Sequence, residues 1–268
     1  DAMAMGDLVH MTLDLALQNL EANGGFANAG DAQVTAAIDA ATTNVAGVWE
    51  TERAVPPPVI WRSTLDDARK LAERALTYRG EPLEGARSYG EVAFGGATPK
   101  TGADSPWDAA TLVAIPETGF AIKGYIDRLD LSGDGTRALV RDYKTGRPPK
   151  TNISIDGGRE LQRCLYAFAV KSLLGADVSI SASLLYPRAE VDLQLADPEA
   201  TLGALTGYLQ SASTSLSAGH ALIGPDTGGT YDDLAFALPA NAGATYCKRK
   251  TPAATELLGD ATLVWEAQ

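Results

Sequence analysis

Cysteine is scarce in this chain of 268 residues: Cys164 and Cys247, 83 positions apart, are its two thiols. That spacing excludes a disulfide framework, and no C-x-x-C pair exists to build a zinc site. Histidine is as rare, with only His10 and His220. No apolar run approaches the roughly 18 residues that a membrane-spanning helix needs. The N-terminus shows no basic stretch leading into an apolar core and cleavage site, so we expect no membrane association and a cytoplasmic location. Positive charge is also short. Lys and Arg number 22 against 34 Asp and Glu, a net charge of −12, so long-range attraction to a polyanion has the wrong sign and any such binding must be local. No G-x-x-x-x-G-K-[ST] phosphate loop occurs among these residues.

What is present points to an α/β chain. With 45% hydrophobic and 21% charged residues, the sequence can bury a large core, and its length suits one domain over residues 1–268. Leu8, Leu13, Leu17 and Leu20 mark a helical stripe that also turns His10 inward, with Gly6 one turn earlier permitting close approach to a strand. Two more helical patterns, about 31–50 and 64–79, are separated by Pro56, Pro57 and Pro58 and form a helical insertion over about 28–80. The core then runs over about 88–190: a strand near 91–94, an irregular link, a β-hairpin, a helix over 159–173 and an apolar strand over 178–186. The order is α-β-β-β-α-β. A last helix spans about 198–217, and the remainder reads as loop-rich.

The hairpin carries the chemistry. Residues 120–131 and 137–144 are rich in Ile, Leu, Val and Tyr, and Ser-Gly-Asp-Gly-Thr between them tolerates a tight connection. A turn centred near Asp134 and Gly135 sets Asp127 opposite Asp142, with Lys144 on the same face. Two opposed carboxylates repel unless a cation sits between them. Oxygen ligands of this kind suit Mg²⁺ or Mn²⁺. A metal so held acidifies water and neutralises a phosphodiester, while a neighbouring lysine orients the attacking water and offsets developing negative charge. Phosphodiester hydrolysis fits this set.

Four separated motifs, Gly6-Asp7-Leu8-Val9-His10, Gly124-Tyr125-Ile126-Asp127-Arg128, Asp142-Tyr143-Lys144-Thr145-Gly146 and Gln162-Arg163-Cys164-Leu165-Tyr166, resemble the RecB-type nuclease domain of the PD-(D/E)XK superfamily. The resemblance implies a restriction-endonuclease-like core, a mixed central sheet flanked by helices. It implies His10, Asp127, Asp142 and the main-chain carbonyl of Tyr143 as metal ligands, with Asp127, Asp142 and Lys144 as the catalytic group. Gln162 and Tyr166 would then hold the DNA backbone or brace the site, and Arg128 and Arg147, from the positive charge clustered around the hairpin, are expected to bind DNA or brace it as well. It also implies DNA as substrate, single-stranded or unwound, and a helicase segment or subunit as partner. Some relatives of this type hold an iron-sulphur cluster on four cysteines; two cysteines cannot, so none is expected here.

Glu91 is a further candidate ligand, while His220, far from every motif, is given no role. Arg128, Arg141, Lys144, Arg147, Lys150, Arg159 and Arg163 supply local positive charge around the hairpin. Two other readings fit the sequence: a nuclease fold kept as a nucleic-acid-binding or scaffolding module without catalysis, and an unrelated α/β protein. The first would be favoured by loss of Asp127, Asp142 or Lys144, and none is lost.

Overall fold

The computed structural model describes residues 2–78, 80, 83–100, 102, 104–220 and 242–266. The residues expected to form a single domain group into two compact units, interleaved in sequence. One comprises Asp1–Val113, Ile122–Asn152 and Gln162–Pro198; the other comprises Ala114–Ala121, Ile153–Leu161 and Glu199–Gln268.

The first unit opens with three helices, α1 (Ala2–Ala22), α2 (Asp31–Glu52) and α3 (Pro58–Thr77). The expected start of α3 at 64 is too late. Pro58 stands in its first turn, where a missing N–H costs nothing and the fixed φ suits the helix. The apolar stripe of α1, including Leu8, Val9, Leu13 and Leu17, packs against Val34, Ile38 and Val45 of α2 and Leu71 and Leu76 of α3. The same core reaches the sheet through Tyr143 and Leu185. Each of these leucines, removed from water, contributes about 1.5–3 kcal/mol. Trp49 of α2 stacks on Trp61 of α3, ring centroids 6.0 Å apart.

The strands are β1 (Arg87–Phe94), a short ribbon of β2 (Val113–Ala114) and β3 (Ala121–Ile122), then β4 (Gly124–Leu131), β5 (Arg137–Tyr143), β6 (Ser179–Tyr186) and β7 (Val191–Gln194), with α4 (Gln162–Leu174) between β5 and β6. The main sheet has the order β1-β4-β5-β6-β7. Among the described strands only β5 and β6 run parallel, and α4 is the crossover that such a pair requires. This is the expected mixed sheet, its α-β-β-β-α-β core extended by β7. The hairpin register matches the sequence reading, with Arg128 opposite Arg141 and Leu129 opposite Val140.

Glycine decides how α1 lies on the sheet, though at Gly90 more than at Gly6. A Cβ on Gly6 would make only ordinary contact, 3.9 Å from Thr145 Oγ1, whereas one on Gly90 would fall 2.6 Å from Asp14 Oδ1. The helix therefore rests on β1 one turn beyond His10.

The second unit contains α5 (Pro198–Ser217) and α6 (Gly243–Leu258), followed by a 3₁₀ segment over Gly259–Glu266. Ser215 Oγ donates to the carbonyl of Leu258 at 3.4 Å. A ring nitrogen of His220 lies 3.0 Å from the carbonyl of Leu257. The loop-rich reading is thus corrected over 242–266, which are mostly helical; residues 221–241 lie outside the described residues. Among the described residues, no helix is long and apolar enough to cross a membrane.

Candidate active site

Three carboxylates stand in a row across β1, β4 and β5. The β1–β4 register pairs Gly90 with Arg128 and Val92 with Ile126, which leaves Glu91 opposite Asp127. The β4–β5 ladder ends at Arg128 and Arg141, so the next position sets Asp127 toward Asp142. Both ladders break at this row. Glu91 takes φ +47°, a left-handed conformation that costs a non-glycine residue energy and persists only where surroundings hold it. On the other side, Asp127 Oδ2 accepts the N–H of Tyr143 at 2.7 Å in place of a strand partner.

His10 enters from α1. One ring nitrogen, Nε2, lies 3.1 Å from the Tyr143 carbonyl oxygen. The other, Nδ1, lies 3.4 Å from Asp127 and 3.6 Å from Glu91. One donor atom each from His10, Glu91 and Asp127 fall within 4.8 Å of one another. Burial pushes the imidazole pKa down, but hydrogen bonds and charge from Asp127 and Glu91 outweigh it and raise it to about 10. Glu91 is in turn held below the usual carboxylate range: burial opposes ionisation, and His10 and Lys100 overcome it. Lys100 Nζ donates to Glu91 Oε2 at 2.6 Å.

Asp142 faces a different neighbour. Its Oδ2 lies 2.7 Å from Lys144 Nζ, a close ion pair. Burial first, then the charge of Asp127, push Asp142 up to about 7 against the pull of Lys144. Lys144 Nζ donates to Gln162 Oε1 at 2.5 Å, and Gln162 Nε2 donates to Tyr166 OH at 3.3 Å. Tyr166 meets Phe94 edge to face, ring centroids 5.9 Å apart. A Cβ on Gly124 would touch that Phe94 ring at 3.4 Å, the limit of ordinary contact.

The tight donor group is therefore His10, Glu91 and Asp127, with Asp142 at its edge turned to Lys144, rather than His10, Asp127 and Asp142. Glu91, secondary in the sequence, moves to the centre. Its signal was a carboxylate inside the apolar run Tyr89–Phe94 that ends up only 6% exposed. Lys100 was missed altogether, since nothing in an irregular link marks one lysine. Three arginines expected as free positive charge are buried: Arg128, Arg141 and Arg163. Arg128 binds both oxygens of Asp130 and reaches Tyr143 OH at 3.4 Å, so its guanidinium is tied within the hairpin. Arg163 is tied to Asn152 Oδ1 at 2.5 Å and to the carbonyl of Leu193. Arg147 and Lys150 are exposed, and Arg159 lies 3.5 Å from Asp156.

The residues present suit a divalent cation. One imidazole nitrogen and carboxylate oxygens converge, the cluster draws a proton onto His10, and the Asp142 carboxylate stands at the edge of the group with Oδ2 against Lys144. The chain matches the PD-(D/E)XK nuclease superfamily over residues 1–247. It belongs to that superfamily, whose members are in general metal-dependent phosphodiester hydrolases that use divalent ions, and it carries a nuclease domain. A search of curated proteins found no match to the chain.

Proposed function

We propose that this chain is a RecB-type deoxyribonuclease domain that hydrolyses DNA with Mg²⁺ or Mn²⁺. In this reading it is the nuclease part of a helicase-nuclease or a DNA repair exonuclease, in the cytoplasm, acting on single-stranded or unwound DNA with a helicase segment or subunit as partner. The observation that carries the reading is the convergence of His10, Glu91 and Asp127 beside the Asp142–Lys144 pair.

His10, Asp127, the Tyr143 carbonyl and Glu91 or Asp142 are the groups that would hold the cation. A bound Mg²⁺ or Mn²⁺ supplies a Lewis acid that polarises the phosphodiester and acidifies water. Asp142 and Gln162 fix the Lys144 ammonium from two sides, so that it can donate to the attacking water or to a phosphoryl oxygen as negative charge builds. Tyr166 holds Gln162 and, through Phe94, ties α4 to β1. Arg147 and Lys150, exposed next in sequence, are the candidates for gripping the DNA backbone. A net charge of −12 makes that grip weak without a divalent ion.

The test is an end-labelled DNA assay, single-stranded and duplex, with Mg²⁺, Mn²⁺ or EDTA, on the chain and on Asp127→Asn. We expect metal-dependent cleavage that favours single strands and is lost in the variant. Absence of cleavage together with a flat calorimetric Mn²⁺ titration would overturn the reading.

A further inference from the structure

Past the C-terminal end of α3 the sheet face is polar. There β5, β6 and β7 offer Arg141, Ser179, Ser181, Asp192 and Gln194 to a cavity of about 170 Å³, bounded on one side by Tyr78. Side chains alternate along β5, so Arg141 points away from the side on which its neighbour Asp142 meets Lys144. The cavity is separate from the candidate active site.

Arg141 is 1% exposed, and its guanidinium is only half used. Nη1 donates to the Tyr78 carbonyl at 3.3 Å, and the Tyr78 ring centroid lies 5.5 Å away. Among the described residues, Nε has no hydrogen-bond partner, and neither has Ser183 Oγ, the residue opposite Arg141 on β6, nor Asp192 Oδ1. Buried polar groups are almost always paired, so three orphans in one place call for an explanation. Arg128 and Arg163, buried in the same unit, are held by side-chain and backbone oxygens. The Nε and Nη edge of a guanidinium is a fork that matches two oxygens of a phosphate. Gly80 lies against that edge with no room for a side chain between them: at φ +65°, a Cβ there would fall 2.9 Å from Arg141 Nη2. Asp192, beside it, accepts from Gln194 Nε2 at 2.5 Å through Oδ2 and leaves Oδ1 without a partner among the described residues, and Ser179 and Ser181 are exposed hydroxyls that can give or accept.

We propose that this cleft binds a small phosphomonoester that carries a hydroxyl group, Arg141 taking the phosphate and Asp192 the hydroxyl. That chemistry belongs to nucleoside monophosphates and to sugar phosphates alike. It does not depend on the nuclease reading.

The test is calorimetric titration of the whole chain in EDTA, so that the candidate metal site contributes nothing, with inorganic phosphate, ribose 5-phosphate and adenosine 5′-monophosphate. We expect at least one ester to bind saturably and more tightly than inorganic phosphate. Arg141→Gln and Ser181→Phe should each weaken that binding tenfold or more, about 1.4 kcal/mol. Ser181 is exposed, so its variant fills the cleft without touching the core, and it decides the matter should Arg141→Gln not fold. Tighter binding of the nucleotide assigns a nucleotide site, and equal binding of the two esters a sugar-phosphate site. No saturation by any probe, phosphate binding as tightly as both esters, or affinity unchanged in Ser181→Phe overturns the proposal.

Discussion

Asp127 and Asp130 lie three residues apart on β4 and live in opposite surroundings. Asp130 accepts from Ser88 Oγ at 2.6 Å and from Arg128 Nε and Nη2 at 2.8 and 2.6 Å. Its partner Arg128 is buried too, and the guanidinium lies 4.5 Å from the centroid of Phe26. Asp127 has one main-chain N–H and a shared imidazole, with like charges on the strands at either hand. Around Asp130 the ladders are regular; at Asp127 both break. A closed network holds the sheet together, whereas an open one keeps oxygens available to something that arrives later. The cations differ in the same way, since Arg128 is 3% exposed while the side chains of Lys144 and Lys100 are 33% and 48% exposed.

The contrast is sharpest in a pair of substitutions. Asp127→Asn should abolish metal-dependent cleavage, a loss of about a thousandfold or more, while the metal-free protein melts within about 1 kcal/mol of the parent, because a repelling charge leaves with the ligand. Asp130→Ala should instead cost about 3–5 kcal/mol of stability, since it strands the buried Arg128. Thermal unfolding and a cleavage assay on both variants check the separation, and a cleavage-dead Asp130→Ala at full stability would dissolve it.

Lys144→Ala comes next in size. An ammonium cannot coordinate a cation, so the cleavage rate should fall about a hundredfold with Mn²⁺ affinity changed no more than a few-fold. Parallel losses in rate and in calorimetric affinity would make Lys144 a partner of Asp142 alone.

A pH effect follows from Asp142. Its folded pKa of about 7 exceeds its ordinary 3.8, so the folded chain keeps a proton that the unfolded chain has released. Metal-free stability therefore falls as pH rises from about 4 to 7 and stays flat above that on this account. Asp142→Asn removes the loss. Its stability should match the parent near pH 4 and exceed it by on the order of 4 kcal/mol at pH 8, read by urea unfolding in EDTA. His10 works in the other sense: raised to about 10, it adds stability that is complete below 6.5 and lost as pH climbs through 10.

Much of this was legible in the chain. The hairpin register could be read because Ser-Gly-Asp-Gly-Thr fixes the turn and a slip of one residue would turn every apolar side chain outward. His10 could be placed because a helical stripe predicts which way it points. Glu91 was harder, for a strand of which every residue after Arg87 is buried shows no alternation to mark its working face. The arginines misled because charge near a motif in sequence says nothing of depth; Arg128 and Arg163 are consumed by Asp130 and by backbone carbonyls that no local pattern announces. The helix over Gly243–Leu258 was hidden by a weakly apolar composition and an internal Pro252.

The smallest expected effect concerns Lys100, the one part of the open network with no counterpart around Asp130. Its ammonium holds Glu91 Oε2 at 2.6 Å from a half-exposed position, so it competes with any cation that would use the same oxygen. A partly exposed pair of this kind is worth less than about 1 kcal/mol. Lys100→Ala should therefore tighten Mn²⁺ binding about two- to fivefold, within that limit, and leave the fold unchanged. Lys100→Arg, which keeps the charge, should stay near the parent. Calorimetric titration of the three proteins at fixed ionic strength separates the outcomes. Weaker Mn²⁺ binding in Lys100→Ala would mean that the lysine orients Glu91 toward the cation instead of masking it, and the open network would then be organised in advance much as the closed one is.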